Sequence, residues 1–113
     1  MKRRNEKDLK IRVEQAKTVQ AKAMAYYALA LFHDNNAREA KAVPVYREAL
    51  KLGLDRRTRS KALTWLASSL YKTGKPKEAL IKIGQARVIS DANLKYFLDG
   101  LEKRIKTRIK NSF

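Results

Sequence analysis

The stretch Tyr26-Tyr27-Ala28-Leu29-Ala30, with Ala42, Tyr46 and Ala49 behind it, returns as Leu63-Thr64-Trp65-Leu66-Ala67 followed by Ala79, Ile83 and Ala86. The offset is 37 positions throughout, from Ala30 to Ala67, Ala42 to Ala79 and Ala49 to Ala86. Turn-forming residues lie between the anchors, Asp34-Asn35-Asn36 in the first copy and Lys72-Thr73-Gly74-Lys75-Pro76 in the second, with Ala37 opposite Gly74. A gapless register through two apolar stretches and a turn is an internal repeat, and a repeat outranks other signals in assigning a fold.

The apolar spacing is helical. Tyr26, Leu29, Ala30 and His33 recur at steps of three, one and three, as do Leu63, Leu66, Ala67 and Leu70, so each set lies on one helix face. Ala42, Tyr46, Ala49 and their counterparts Ala79, Ile83, Ala86 form the stripe of a second helix. The alanines let two backbones approach closely, and Tyr46 or Ile83 fills the space beside them. Asn36 with Glu39 reads as an N-cap and its capping-box partner. Pro76 suits the first position of a helix, Gly53 a left-handed C-cap, and Ser90-Asp91 an N-cap for a last helix. Pro44 interrupts a helix otherwise continuous from Ala37 to Leu52, at a cost of about 3 kcal/mol unless a kink accommodates it. A bend near Ala40–Pro44 is expected.

This pattern resembles the tetratricopeptide repeat family, whose signature is W-x2-L-G-x2-Y, then A-x3-F, then P, over about 34 residues. The unit 60–93 matches through Leu63, Leu66, Ala67, Leu70, Gly74, Ala79, Ile83 and Ala86. The unit 23–56 matches through Tyr26, Leu29, Ala30, Ala42, Tyr46 and Ala49. The leading Trp is replaced by Tyr26 or Leu63, the small Gly by Ala, and the closing Pro by Leu54 or Asp91. The repeat also runs three residues long, around Arg57-Thr58-Arg59. The segment from Ala42 to Leu54 is similar to the bacterial "group five" subgroup of that family, whose function is largely unassigned. The resemblance spans about Ala23 to Gly100 and implies an all-α fold, a right-handed α-α superhelix of two helical hairpins. The fold is a scaffold and fixes no activity.

Two hairpins need a cap at each end. No Gly or Pro occurs from Glu6 to Asp34, and Leu9, Val13, Ala16, Ala23, Tyr27 and Ala30 fall near heptad spacing. The expectation is one long N-terminal helix of about 30 residues, roughly 45 Å. Its extension, 6–22, either packs across the stack or pairs with another chain in a homodimer. Residues 94–110 put Leu94, Phe97 or Leu98, Leu101, Ile105 and Ile109 on one face of a capping helix whose other faces are basic. The whole chain, 1–113, reads as a single domain.

Lys and Arg number 27 against 11 Asp and Glu, a net charge of +16 and a pI near 10.4. Such an excess attracts nucleic acid, anionic surfaces and acidic proteins alike. The chain has no cysteine, which removes disulfides, iron–sulfur clusters and thiolate zinc sites. Neither a signal peptide nor a membrane span is legible, so the cytoplasm is the expected location. His33 stands where the repeat packs an aromatic, which makes it a core or edge filler and not a general base. It lacks the partners of a metal site. No phosphate-binding glycine loop or nucleophile elbow is present, and Ser68 and Ser69 have no His/Asp company. Neither enzyme, cofactor nor metal is expected. Trp65 and Tyr26 could stack on bases, but helical repeats use such residues for packing.

Binding is the better expectation. In the family, the second, fifth, ninth, twelfth and thirteenth positions of the first helix line a concave groove. The resemblance places them on Met24, Tyr27, Leu31, Asp34 and Asn35, and on Lys61, Thr64, Ser68, Tyr71 and Lys72. An apolar strip beside a basic one suits a peptide or acidic protein segment with an apolar anchor, as in an adaptor or small chaperone. The family's clamp for C-terminal carboxylates wants Lys and Asn where Tyr27 and Leu31 stand, which disfavours that ligand. The alternative is a nucleic-acid-associated protein using Arg56, Arg57 and Arg59 with Lys103, Arg104, Lys106, Arg108 and Lys110 of the last helix.

Overall fold

The computed structural model describes residues 5–111, and among them it contains six helices and no strand. They are α1 (Glu6–Gln15), α2 (Val19–Asn35), α3 (Glu39–Leu52), α4 (Arg56–Lys72), α5 (Pro76–Arg87) and α6 (Ala92–Asn111). Each packs on the next, and α6 also reaches back to α4. The result is a stack measuring 47 × 26 × 26 Å.

Burial repeats with the sequence. Ala25 and Ala62, Ala30 and Ala67, Ala42 and Ala79, Tyr46 and Ile83, and Ala49 and Ala86 are all fully buried. The two alanine pairs that were expected to bring helices together lie at the centre of the α2–α3 and α4–α5 hairpins. Helix starts keep the same period. Thr18 Oγ1 accepts the Ala21 N–H at 3.0 Å, and Asp55 Oδ1 accepts that of Thr58 at 2.9 Å. The extra residues Arg57-Thr58-Arg59 are therefore the first turn of α4, matched by a first turn in α2.

The hairpin turns also agree, and they correct one expectation. Arg38 N–H bonds the His33 carbonyl and Lys75 N–H that of Leu70, both at 2.8 Å, which closes each first helix with the same six-to-one bond. The residue in between has positive φ in both, 83° at Gly74 and 57° at Ala37. Asn36 is not an N-cap: its side-chain amide donates to the Phe32 carbonyl at 2.7 Å, so it finishes α2. α3 starts after Arg38, with no side-chain cap. Gly53 ends α3 at φ 104° and ψ 116°, positive in φ but more extended than a left-handed cap. Asp91 caps α6 through the Leu94 N–H. α3 continues through Pro44, which cannot supply the N–H that the Ala40 carbonyl would accept in a regular helix.

The long N-terminal helix is broken. Ala16 turns extended at ψ 126° and Thr18 opens a new helix, although neither Gly nor Pro is present. The break lets α1 fold back on α2, with Leu9 and Val13 buried and Glu6 of α1 beside His33 and Arg38. Of the two expectations for this extension, packing within the chain is the arrangement seen for Leu9 and Val13. At the other end Leu98, Leu101 and Ile105 of α6 are buried, and Arg87 of α5 bonds Asp99 and Glu102.

Two stability measurements follow. Ala67→Leu should cost about 1–3 kcal/mol in chemical denaturation, since a fully buried site has no room for added methylenes. A neutral result would mean that the hairpin does not close there. Ala37→Gly should instead stabilise by about 0.5–1 kcal/mol, because glycine takes positive φ without the Cβ clash that alanine suffers.

Candidate functional site

The first helices of the hairpins, α2 and α4, share one side of the stack with α6, while α3 and α5 lie behind. Half-buried aromatic rings cross that side. Tyr27 of α2 lies 6.3 Å from Tyr46 and beside Trp65 of α4, and Trp65 meets Phe97 of α6 edge-on at 5.3 Å. Burial pushes the Tyr27 phenol above its ordinary range, with the Trp65 indole working the other way. Cations border the rings. Lys61 is half-buried on α4, and the Arg108 guanidinium lies 5.3 Å from the Tyr71 ring centre.

The ten expected groove residues do not share one fate. Tyr27, Lys61, Ser68 and Tyr71 are partly exposed on or beside the aromatic run. Met24, Leu31 and Asn35 line clefts shared with α1, Met24 with Ile11 and Arg12, the other two with Leu9. Two residues are committed inside the fold. Thr64 is fully buried and its hydroxyl donates to the Ser60 carbonyl at 2.7 Å. The Asp34 carboxylate accepts the hydroxyl of buried Tyr46 at 2.8 Å. Burial and that carboxylate together push the Tyr46 phenol far above its ordinary range. Lys72 is exposed, with Nζ 3.9 Å from Glu39 of α3. Of the two residues that the capping stripe left open, Leu98 is the buried one and Phe97 extends the aromatic run. Its sign in the sequence is its place one position off the buried Leu98-Leu101-Ile105 line.

The basic residues proposed for nucleic acid do not form one patch. Arg56, Arg57 and Arg59 are exposed at the start of α4, whereas Arg108 meets Tyr71 near its end. About 15 residues of helix, roughly 22 Å, separate the two. On α6 itself Lys103, Lys106 and Lys110 follow one line, and Arg104 and Arg108 another, by their three- and four-residue spacing. Lys106 is paired with Glu102 at 3.2 Å.

His33 is 3% exposed, edge-on to Phe32 at 5.8 Å, with Nε2 3.8 Å from a Glu6 oxygen and Nδ1 without a hydrogen-bond partner. Burial holds its pKa below the ordinary histidine value, more strongly than nearby Glu6 raises it. No group of His, Asp and Glu suited to a metal ion occurs among the described residues, and no described helix is long and apolar enough to cross a membrane.

A family model described as a tetratrico peptide repeat matches residues 23–101. No match is found among curated proteins or among solved structures.

Asp34 thus ties the end of α2 to Tyr46 of α3. Asp34→Ala should cost about 1–3 kcal/mol by leaving a buried phenol unsatisfied, whereas Asp34→Asn keeps an acceptor and should cost less. Urea denaturation of the two variants separates these cases, and equal stability of Asp34→Ala and the parent chain would return Asp34 to the surface site.

Proposed function

The chain belongs to group five of the tetratricopeptide repeat family, and on that premise we propose that it is a non-catalytic protein-interaction module, an adaptor or small chaperone. Its site is the side shared by α2, α4 and α6, and its ligand is a peptide or acidic protein segment with an apolar anchor. The observation that carries this reading is the run of half-exposed rings Tyr27, Trp65 and Phe97, with Lys61, Tyr71 and Arg108 at its border.

Each part of that arrangement has a binding role. A ring that is already held by its neighbours loses little rotamer freedom when a partner covers it, so aromatic anchors concentrate binding energy. The cations add steering and select against basic partners, an effect that a net charge of +16 extends beyond the contact itself. Because Thr64 and Asp34 are satisfied within the fold, the ligand is read mainly by Tyr27, Trp65, Lys61, Ser68 and Tyr71. The α1 helix narrows the Met24–Leu31 flank and leaves the α4 side open.

The partner is to be isolated by affinity capture after nuclease treatment and then titrated calorimetrically. Tyr27→Ala should weaken binding by about 2 kcal/mol, as expected of an aromatic anchor. Lys61→Ala should cost about 0.5–1 kcal/mol at low salt, with the thermal midpoint unchanged. Retention of parental affinity by both variants would discard this face. Complete loss of the partner upon nuclease treatment would favour the nucleic-acid alternative.

A further inference from the structure

The opposite side of the stack carries a feature that the reading above does not use. Two clefts of about 440 and 470 Å³ open beside α3, the first against the turn between α4 and α5, the second against α4 and the end of α5. Ala40, Val43 and Pro44 line the first, near Thr73 and Lys75. The second is walled by Leu50, Leu63, Val88 and Ile89, with Arg59 and Lys82 at its edge. The Arg47–Glu78 ion pair, at 2.7 Å, spans from α3 to α5 between them: Arg47 lines the first cleft, and Glu78 lies one turn before Lys82. The clefts are thus the two lobes of one furrow.

The furrow has an unpartnered apolar surface and an unbalanced charge. Val88, which follows α5 and lines the second cleft, is 77% exposed, and Ile81, two turns earlier, is 59% exposed near it. Arg59, Lys75 and Lys82 have no acidic partner among the described residues, and the acid between the lobes, Glu78, is already taken by Arg47. Ala40 and Pro44, the pair whose helical hydrogen bond the proline ring removes, both line the first lobe.

We propose that this furrow is a second interaction surface, which takes an acidic amphipathic segment of a partner protein. One apolar side chain of that segment enters each lobe, and its carboxylates meet Lys75, Lys82 and Arg59. A second copy of this chain is a poor occupant, because two bodies of charge +16 repel each other. Nucleic acid would satisfy the cations but leave Val88, Leu50 and Ile89 without a counterpart. The surface is separate from the aromatic side, so each stands or falls alone.

The probe is a short synthetic helical peptide of glutamates with two leucines two turns apart, titrated into the isotopically labelled full chain. Amide shifts should map to α3, α5 and the start of α4. Lys82→Glu and Val88→Ser should each weaken binding about tenfold, equivalent to about 1.4 kcal/mol, with parental thermal midpoints because both side chains reach solvent. Four outcomes overturn the proposal: no binding at low salt, equal affinity for a peptide with scrambled leucines, shifts confined to α2, α4 and α6, or parental affinity of Val88→Ser. Dimers in sedimentation that dissociate in Val88→Ser would assign the furrow to a second copy and overturn it too.

Discussion

Two helix backbones can lie close together only where no bulky side chain separates them, and this fold depends on that condition being met twice. Ala30 with Ala42, and Ala67 with Ala79, are fully buried on neighbouring helices. Close approach creates the volume that Tyr46 and Ile83 then fill, and their burial fixes the relation of each hairpin to the next. Tyr46 needs one further element because its hydroxyl goes in with it, and Asp34 supplies the acceptor. Ile83 needs none, and the equivalent of Asp34 is Tyr71, which lies half-buried with the Arg108 guanidinium over its ring. The repeat is thus symmetrical in backbone and asymmetrical in chemistry.

Acidic residues are scarce, and their placement follows from that scarcity. Asp55 and Asp91 cap helices whose flanks are basic. Hydrogen bonds to Thr58 hold the Asp55 carboxyl below its ordinary range, so that cap stays charged where Arg56 and Arg57 crowd the positive end of α4. Glu6, Glu39, Glu78, Asp99 and Glu102 reach across to cations of other helices. Each such surface pair contributes little alone. Together they draw acids into the joints between helices and leave the outward surfaces to lysine and arginine.

The hairpins were legible because alanine spacing is a steric requirement that sequence states directly. The break at Ala16–Thr18 was not, because heptad-like spacing continued across it and no glycine or proline marked it. Its sign was Thr18 itself, at the same 37-residue interval from Asp55 as the core anchors. Asn36 misled for a related reason: an asparagine between two helices can finish one or begin the other, and the positive φ required at Ala37 decided for the first. The candidate site was legible by half. Position along a helix places a residue on a face, but whether Thr64 stays available depends on neighbours distant in sequence. Those neighbours bury it, and a threonine hydroxyl can satisfy itself on the preceding turn.

Front and back of the stack offer a partner different terms. On the front, the rings of Tyr27, Trp65 and Phe97 support each other, so the surface exists before a ligand arrives and little is left to be ordered. On the back, the apolar groups fall into two separate clefts, and the Arg47–Glu78 pair bridges α3 and α5. A ligand there must bring its own regular spacing, which a helix does and an extended chain does not. Under the two proposals, the faces select different conformations of an acidic partner. Both are built on α4, which contributes Trp65 to the front and Leu63 to the back from opposite sides of one helical turn.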